Sequence, residues 1–265
     1  MQSPTQPKTQ STIDLSFQTY TKPAQADLTE AELRVQLAAA YRLVARFGMS
    51  DLIYTHISVR LPGDEPTFLI NPFGLMFHEI TASSLVKIDV DGNILEDNGY
   101  PVNPAGFVIH SAIHMARHEV GCVMHTHSRY GMAVSMLECG LLPVSQFSLQ
   151  FHNRVAYHHY EGLALDLGER DRLIADLGDK PVMILHNHGL LTAGATVPEA
   201  FYLLYYLEKS CEVQITAQSA GVPLIYPSEA VCDRTVQQYG WNNVGELEWA
   251  ALTRLLDRED PSYRD

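Results

Sequence analysis

The 265-residue sequence has no apolar run approaching the roughly 20 residues that a bilayer-spanning helix needs. Its opening stretch, MQSPTQPKTQSTIDLSFQTYTKPAQ, lacks the apolar segment of a secretory signal, so the cytoplasm is the expected compartment. Cysteine is sparse. Cys122, Cys139, Cys211 and Cys232 are scattered without a CxxC pair, which excludes a disulfide framework or a thiolate zinc site and points to a reducing environment. Three of the four sit in apolar surroundings and read as buried thiols. Basic residues are also few: 18 Lys and Arg against 31 Asp and Glu give a net charge of −13, with no Lys/Arg cluster. Nucleic acid and anionic membrane are therefore not expected partners. The Gly-x-Gly-x-x-Gly, Walker A, Gly-x-Ser-x-Gly and HExxH patterns are missing, which removes the usual signatures of dinucleotide, nucleotide, serine-hydrolase and zincin chemistry.

What the chain does have is histidine in a pattern. His125 and His127 in GCVMHTHS and His186 and His188 in VMILHNHGLL are two HxH pairs, each in a run that reads as a buried strand. Side chains two apart on a strand point to one face, so each pair aims two imidazoles at one place. Neutral imidazole suits zinc, iron, manganese or nickel, and three such nitrogens with open positions would make a catalytic rather than a structural metal site. Gly189 would let the backbone turn sharply after His188. His110 and His114 form a second kind of pair, i and i+4 on one helix face, read as one residue lining the site and one at the helix surface. His152, His158 and His159 with Tyr157 and Tyr160 read either as pocket wall or as a polar loop.

Local signals place these residues. Thr29 to Glu32 has capping-box spacing, Leu33, Leu37, Tyr41 and Val44 follow at helical period, and Gly48 sits where a helix-ending glycine belongs. Extended stretches are expected at 56–61, 67–71 and 86–90, with Asp91-Gly92-Asn93 as a hairpin signal after the last. A helix over 105–117 precedes the strand 122–127, and another follows over 129–137. Residues 169–177 read as a helix, 182–188 as a strand, and Thr196-Val197-Pro198-Glu199 opens a long helix to Ala220, stopped by Gly221. The tail holds Trp241 and Trp249 and a helix over 244–256; the acidic end LDREDPSYRD reads as solvated. Helices come between groups of strands without strict βαβ alternation, which predicts helices packed on a mixed or largely antiparallel sheet. Residues 1–27 form a flexible arm and 28–265 a single domain in this reading.

The segments THISVR (Thr55–Arg60), NPFG (Asn71–Gly74), PAGFVIHSAIH (Pro104–His114), VMHTHS (Val123–Ser128) and LHNHG (Leu185–Gly189), in this order, resemble the class II aldolase/adducin family over roughly residues 30–220. The resemblance implies an α/β fold, a three-layer α/β/α sandwich with a central, mainly antiparallel sheet, in a homotetramer with metal sites near subunit interfaces. It assigns the metal ligands to His125, His127 and His188 and leaves out His186, which spacing alone would have included. The metal would be zinc first, with Fe(II) or Mn as alternatives.

Departures from the pattern matter. The Ser-Ser-Glu stretch of the family's sugar-phosphate aldolases is Pro104-Ala105-Gly106 here, so the catalytic carboxylate is missing. A phosphate-binding Gly-Asn is Thr55-His56, and a proton-donating tyrosine falls near Phe147. This resembles the adducin-like branch. The expected function is a metal-dependent carbon–carbon lyase, by aldol cleavage or decarboxylation, on a non-phosphorylated carbonyl or keto or hydroxy acid, with the metal stabilising an enolate. Alternatives are a non-haem Fe(II) oxygenase acting on an aromatic keto acid and a non-catalytic adducin-like interaction domain. His110 and Tyr160 are the candidate proton-transfer groups. His56, Ser58, Asn71, Gly74 and Gly106 are candidate substrate-binding residues, with Gly106 leaving room for a substrate oxygen or water.

Overall fold

The computed structural model describes residues 25–63, 66–96, 98–163, 167–240 and 244–265. The expected N-terminal arm lies outside the described residues except for Gln25–Asp27, and these three are not loose. They form a 3-10 turn from which the Gln25 amide donates to the Gly121 carbonyl at 2.9 Å. Trp241 also lies outside.

Helix α1 spans Glu30–Arg46, opened by the Thr29–Glu32 capping box. It closes with Gly48 at φ +69°, where the Gly48 and Met49 amides donate back to Ala45 and Val44, a Schellman close that only a residue tolerant of positive φ makes cheaply. Strands β1 (His56–Arg60), β2 (Thr67–Ile70) and β3 (Val86–Asp89) follow. The hairpin expected after β3 shrinks to a single bridge, Ile88 to Ile94, because the Asp89 carboxylate caps the turn through the Asp91 and Asn93 amides. Then come α2 (Pro104–Ala116), β4 (Cys122–Thr126) and α3 (Arg129–Ser135). After Pro143 come a short helix, α4 (Gln146–Leu149), and a strand, β5 (Val155–His158). After α5 (Glu169–Leu177), the expected strand 182–188 is instead a hairpin: β6 (Val182–Leu185), a three-residue turn, and β7 (Gly189–Gly194). Helix α6 (Val197–Gln218) is followed by α7 (Glu229–Tyr239), which carried no strong sequence signal, and α8 (Glu246–Glu259).

The seven strands form one sheet in the order β3-β2-β1-β4-β7-β6-β5, antiparallel throughout except for the β5–β6 pair. Period-two alternation divides it cleanly. Ile57, Val59, Cys122, Met124, Ile184 and Leu190 pack under α1, α6 and α8 in the larger core. Val123, Met183, Leu185, Leu191 and Ala193 pack on the opposite face with Ile109 and Ile113 of α2 and Leu173 and Leu177 of α5. The result is the expected α/β/α sandwich with a mainly antiparallel central sheet. The acidic C-terminus is not a solvated end. Tyr263 is fully buried, and Arg42 and Arg46 of α1 pair with Asp260 and Glu259. No helix among the described residues is long and apolar enough to cross a membrane. The cysteines are free, and all but Cys139 are buried.

On the α2 face the apolar packing is interrupted by a polar seam. His56 and Ser58 of β1 alternate with Ile57 and Val59, and His125 of β4 is the direct cross-strand partner of His56. His110 and His114, one helical turn apart, reach down from α2 onto this seam. All five side chains are buried, so each polar atom there needs a partner.

Candidate metal centre

His125, His127 and His188 converge: each offers a ring nitrogen, and these nitrogens lie within 4.8 Å of one another. Ring centroids are 4.9 Å apart for His125 and His127, 4.6 Å for His125 and His188, and 4.9 Å for His127 and His188. The first two come from the end of β4 and the residue after it. The third arrives by another route than the one expected. His186, Asn187 and His188 are the turn of the β6–β7 hairpin, with Asn187 at φ +56°, so strand alternation does not apply there. His188 turns towards β4, whereas His186 is stacked between Tyr157 and His159.

Gly189 serves the site differently from the expected sharp turn. Positive φ belongs to Asn187, and a Cβ at Gly189 would lie 2.3 Å from the Thr126 carbonyl oxygen and 3.5 Å from His125 Cε1. The glycine is there so that β7 can close against β4 beside the imidazoles.

Second partners fix which nitrogen faces inward. The Leu190 carbonyl lies 2.9 Å from His125 Nδ1, and the Asp51 carboxylate lies 2.9 Å from His127 Nδ1. Both partners are acceptors, so each Nδ1 carries the hydrogen and each Nε2 keeps its lone pair. His127 Nε2 is buried and has no hydrogen-bond partner. An unpaired buried acceptor is costly, and a cation at the centre of the triad satisfies it. Burial, reinforced by the neighbouring imidazoles, holds the His125 pKa well below its ordinary value and brings His188 down to about 4. His125 and His188 are thus neutral imidazoles at neutral pH, the state that ligates divalent metals.

The segment that carries His127 is anchored from behind. Glu208 of α6 accepts from the Ser128 hydroxyl at 2.6 Å and from the Tyr130 and Gly131 amides at 3.0 and 2.8 Å, satisfying the free N-terminus of α3 just after the HxH. Neither Glu208 nor Asp51 has a sequence signature. Each is an ordinary acid, 80 and 76 residues away from its partner.

A cavity of about 330 Å³ opens on the triad, within the size range of small-molecule sites. Its wall includes Thr55, His56, Phe73, Asn103, Ile109, Met132, Tyr160 and Leu163, and no lysine or arginine among the described residues. Tyr160 stands at the mouth, half exposed, its ring 6.2 Å from His188. Of the candidate substrate-binding residues, only His56 lines the cavity. Ser58 is behind it, hydrogen-bonded to His110 and His114. Asn71 is pinned beneath α1, its amide donating to the Tyr41 hydroxyl at 3.0 Å. Gly74 lies in a turn at φ +118°, next to the lining residue Phe73. The room beside Gly106 is not free for substrate, because a Cβ there would lie 2.6 Å from Cδ2 of His56, so the His56 ring occupies it. His110 likewise sits one step back from the cavity, 2.7 Å from His56 Nδ1.

Of the loop cluster, only Tyr160 joins the wall. His158 is buried between Asp176 and Glu169, and His152 faces Asp233. Nor is either member of the His110 and His114 pair at the helix surface, and His114 lies deepest. It is fully buried and stacked on Phe68.

Both the sequence and the fold have known counterparts. A model of the class II aldolase and adducin N-terminal domain matches residues 35–215, and the chain belongs to that family. The crystal structure of an aldolase II superfamily protein from Pseudomonas syringae is 56% identical, with a TM-score of 0.86 over 89% of this chain and 96% of that one. An L-fuculose 1-phosphate aldolase from Glaciozyma antarctica is 33% identical, with a TM-score of 0.82 over 92% and 96%. Rat alpha-adducin is 43% identical over 249 residues, which are 87% of this chain and 34% of that protein.

Asp51 gives a direct test of the triad's support. Asp51→Ala removes the acceptor that orients His127 and is expected to weaken zinc binding by roughly 10- to 100-fold, with Asp51→Asn in between. Competition with a chromophoric chelator measures it, and equal affinities in all three proteins would refute the role.

Proposed function

We propose that this chain is a divalent-metal-dependent carbon–carbon lyase, acting by aldol cleavage or decarboxylation on a small, non-phosphorylated carbonyl compound or keto or hydroxy acid. The observation that carries the reading is the convergence of His125, His127 and His188 on one point, with a buried, unpartnered Nε2 on His127. A divalent ion held there, zinc first and Fe(II) or Mn as alternatives, would polarise a carbonyl or carboxylate oxygen. The residues around it supply the rest. Ile109, Met132 and Phe73 exclude water, Asn103 and Thr55 offer polar groups to orient a ligand, and the Tyr160 phenol at the mouth would deliver a proton. The lack of a cation in the described wall supports a substrate without a phosphate dianion.

The alpha-adducin match favours a second reading, an interaction domain that keeps the shell without turnover. A homo-oligomer, a tetramer by the family resemblance, fits the exposure of Leu163 and Tyr160 at the mouth, which a second copy would cover. The discriminating experiment incubates the metal-loaded protein with aldol, 2-keto-acid and aromatic keto-acid substrates, in air and without oxygen. Lyase chemistry predicts turnover that is indifferent to oxygen. Turnover only in air would replace it with an Fe(II) oxygenase, and no turnover by a metal-loaded protein would favour the interaction domain.

A further inference from the structure

Behind the cavity wall runs a continuous chain of short contacts. His56 Nδ1 is 2.7 Å from His110 Nε2, His110 Nδ1 is 2.6 Å from Ser58 Oγ, and Ser58 Oγ is 2.8 Å from His114 Nε2. Every member is at most 3% exposed, so water does not enter the links. All three imidazoles are buried, and their side-chain partners are one another and Ser58 rather than a carboxylate, so all are neutral at neutral pH, with the pKa of His114 held at about 3.

A neutral imidazole has one N–H and one bare nitrogen, and the serine hydroxyl has one hydrogen. Each link therefore holds one hydrogen, and the whole chain points one way or the other. If His114 carries its hydrogen on Nδ1, its bare Nε2 accepts from Ser58, whose oxygen accepts from His110 Nδ1–H. The bare Nε2 of His110 then accepts from His56 Nδ1–H, and His56 turns a lone pair on Nε2 to the cavity. The opposite tautomer of His114 reverses every link and puts an N–H there instead.

The buried end decides between the two. Nε2 of His114 is taken up by Ser58, which leaves Nδ1 as the ring nitrogen to meet the backbone acceptor of Val120, although no well-formed hydrogen bond closes there. A lone pair aimed at a carbonyl oxygen is repelled, whereas an N–H is attracted. The outer end is fixed in place by close packing, since the His56 ring lies in the space that a side chain at Gly106 would need.

We propose that Ser58, His110 and His114 are positioning residues that lock His56 in its Nδ1–H tautomer, so that its bare Nε2 recognises a hydroxyl donor on the ligand held beside the triad. The site then selects a hydroxy-carbonyl compound or hydroxy acid over the analogue lacking the hydroxyl. A site built to accept from a hydroxyl discriminates strongly, because without it the buried acceptor is left unpaired. The recognition half rests on the lyase reading above; the tautomer does not.

The test begins with metal-free protein carrying 15N-labelled histidine. Long-range 1H–15N correlation at pH 7.5 is expected to show His56 with a protonated Nδ1 and a bare Nε2. Ser58→Ala, which cuts the chain, is expected to convert His56 to a mixture of tautomers, and Ser58→Thr, which keeps the hydroxyl, to restore the single form. Circular dichroism confirms that each variant is folded. An Nε2–H tautomer in the parent protein, or a His56 spectrum unchanged in Ser58→Ala, overturns the proposal whatever the protein catalyses. On the zinc-loaded protein, lactate is expected to bind at least tenfold more tightly than propionate, and the ratio to collapse in Ser58→Ala. Equal binding of the two by the parent protein, with the tautomer as stated, overturns the recognition half alone.

Discussion

Metal-free protein is expected to lose about 1.6 kcal/mol of stability between pH 6.5 and pH 5 from the buried His114 alone, and more from His110 beside it. His110 and His114 are buried, chiefly desolvation lowers their pKa, and His114 falls to about 3. In the unfolded chain both take up a proton near the ordinary value of 6.5. The folded state therefore binds fewer protons than the unfolded one below that pH. The stability from each is fully present above about 6.5 and is lost as pH falls, at roughly 1.4 kcal/mol per pH unit per group. His56 and His125 are displaced in the same direction and add to the loss. Against the roughly 5–15 kcal/mol typical of a domain, a loss of this size is readily measured. That window lies above the ordinary carboxylate range, so acidic residues do not confuse the result. Urea unfolding of the metal-free protein at pH 7.5, 6.5, 5.8 and 5.0 measures it. A stability independent of pH over that range would mean that these histidines are already charged or open to water.

Gly189→Ala is expected to cost about 3 kcal/mol and to lower the melting temperature by roughly 6–12 °C, the most damaging single methyl at the site. The added carbon would meet the Thr126 carbonyl oxygen at 2.3 Å, and that obstacle is backbone held in the β4–β7 ladder, not a side chain that can swing away. Relief requires the two strands to part where His125 and His188 approach each other, so zinc affinity should fall together with stability. Gly74→Ala is the control for glycine loss as such. No atom lies within 4 Å of its added carbon, and its strain comes only from φ +118°. A melting temperature for Gly189→Ala within 2 °C of the parent would show that the strands do not close as described.

How far the sequence foretold this site depends on which physical rule governs each residue. Alternation governs His125, which sits on the α2 face because β4 is a regular strand with paired neighbours on both sides. The same rule failed for His186 and His188, since a three-residue turn with Asn187 at positive φ replaces the strand there. The LHNHG resemblance, not periodicity, separated the two. Capping chemistry is local, so the starts of α1 and α6 and the close of α1 at Gly48 were legible from a few residues. The roles of Asp51 and Glu208 were not, because a carboxylate that meets its partner across the fold looks like any surface acid in the sequence. Gly106 shows the same limit. Sequence marks the missing side chain, and only the packing shows that the His56 ring fills the gap. The tail misled for a related reason: its charge suggested solvent, while Tyr263 and the α1 arginines hold it against the body.

The central claim is that His125, His127 and His188 hold a divalent metal. Elemental analysis of untagged protein, beside a His125→Ala/His127→Ala double variant, tests it most directly. The account predicts about one zinc, iron or manganese per chain in the parent protein and none in the variant. Parent protein that stays metal-free after reconstitution with each ion, or a variant that retains the metal, would contradict it.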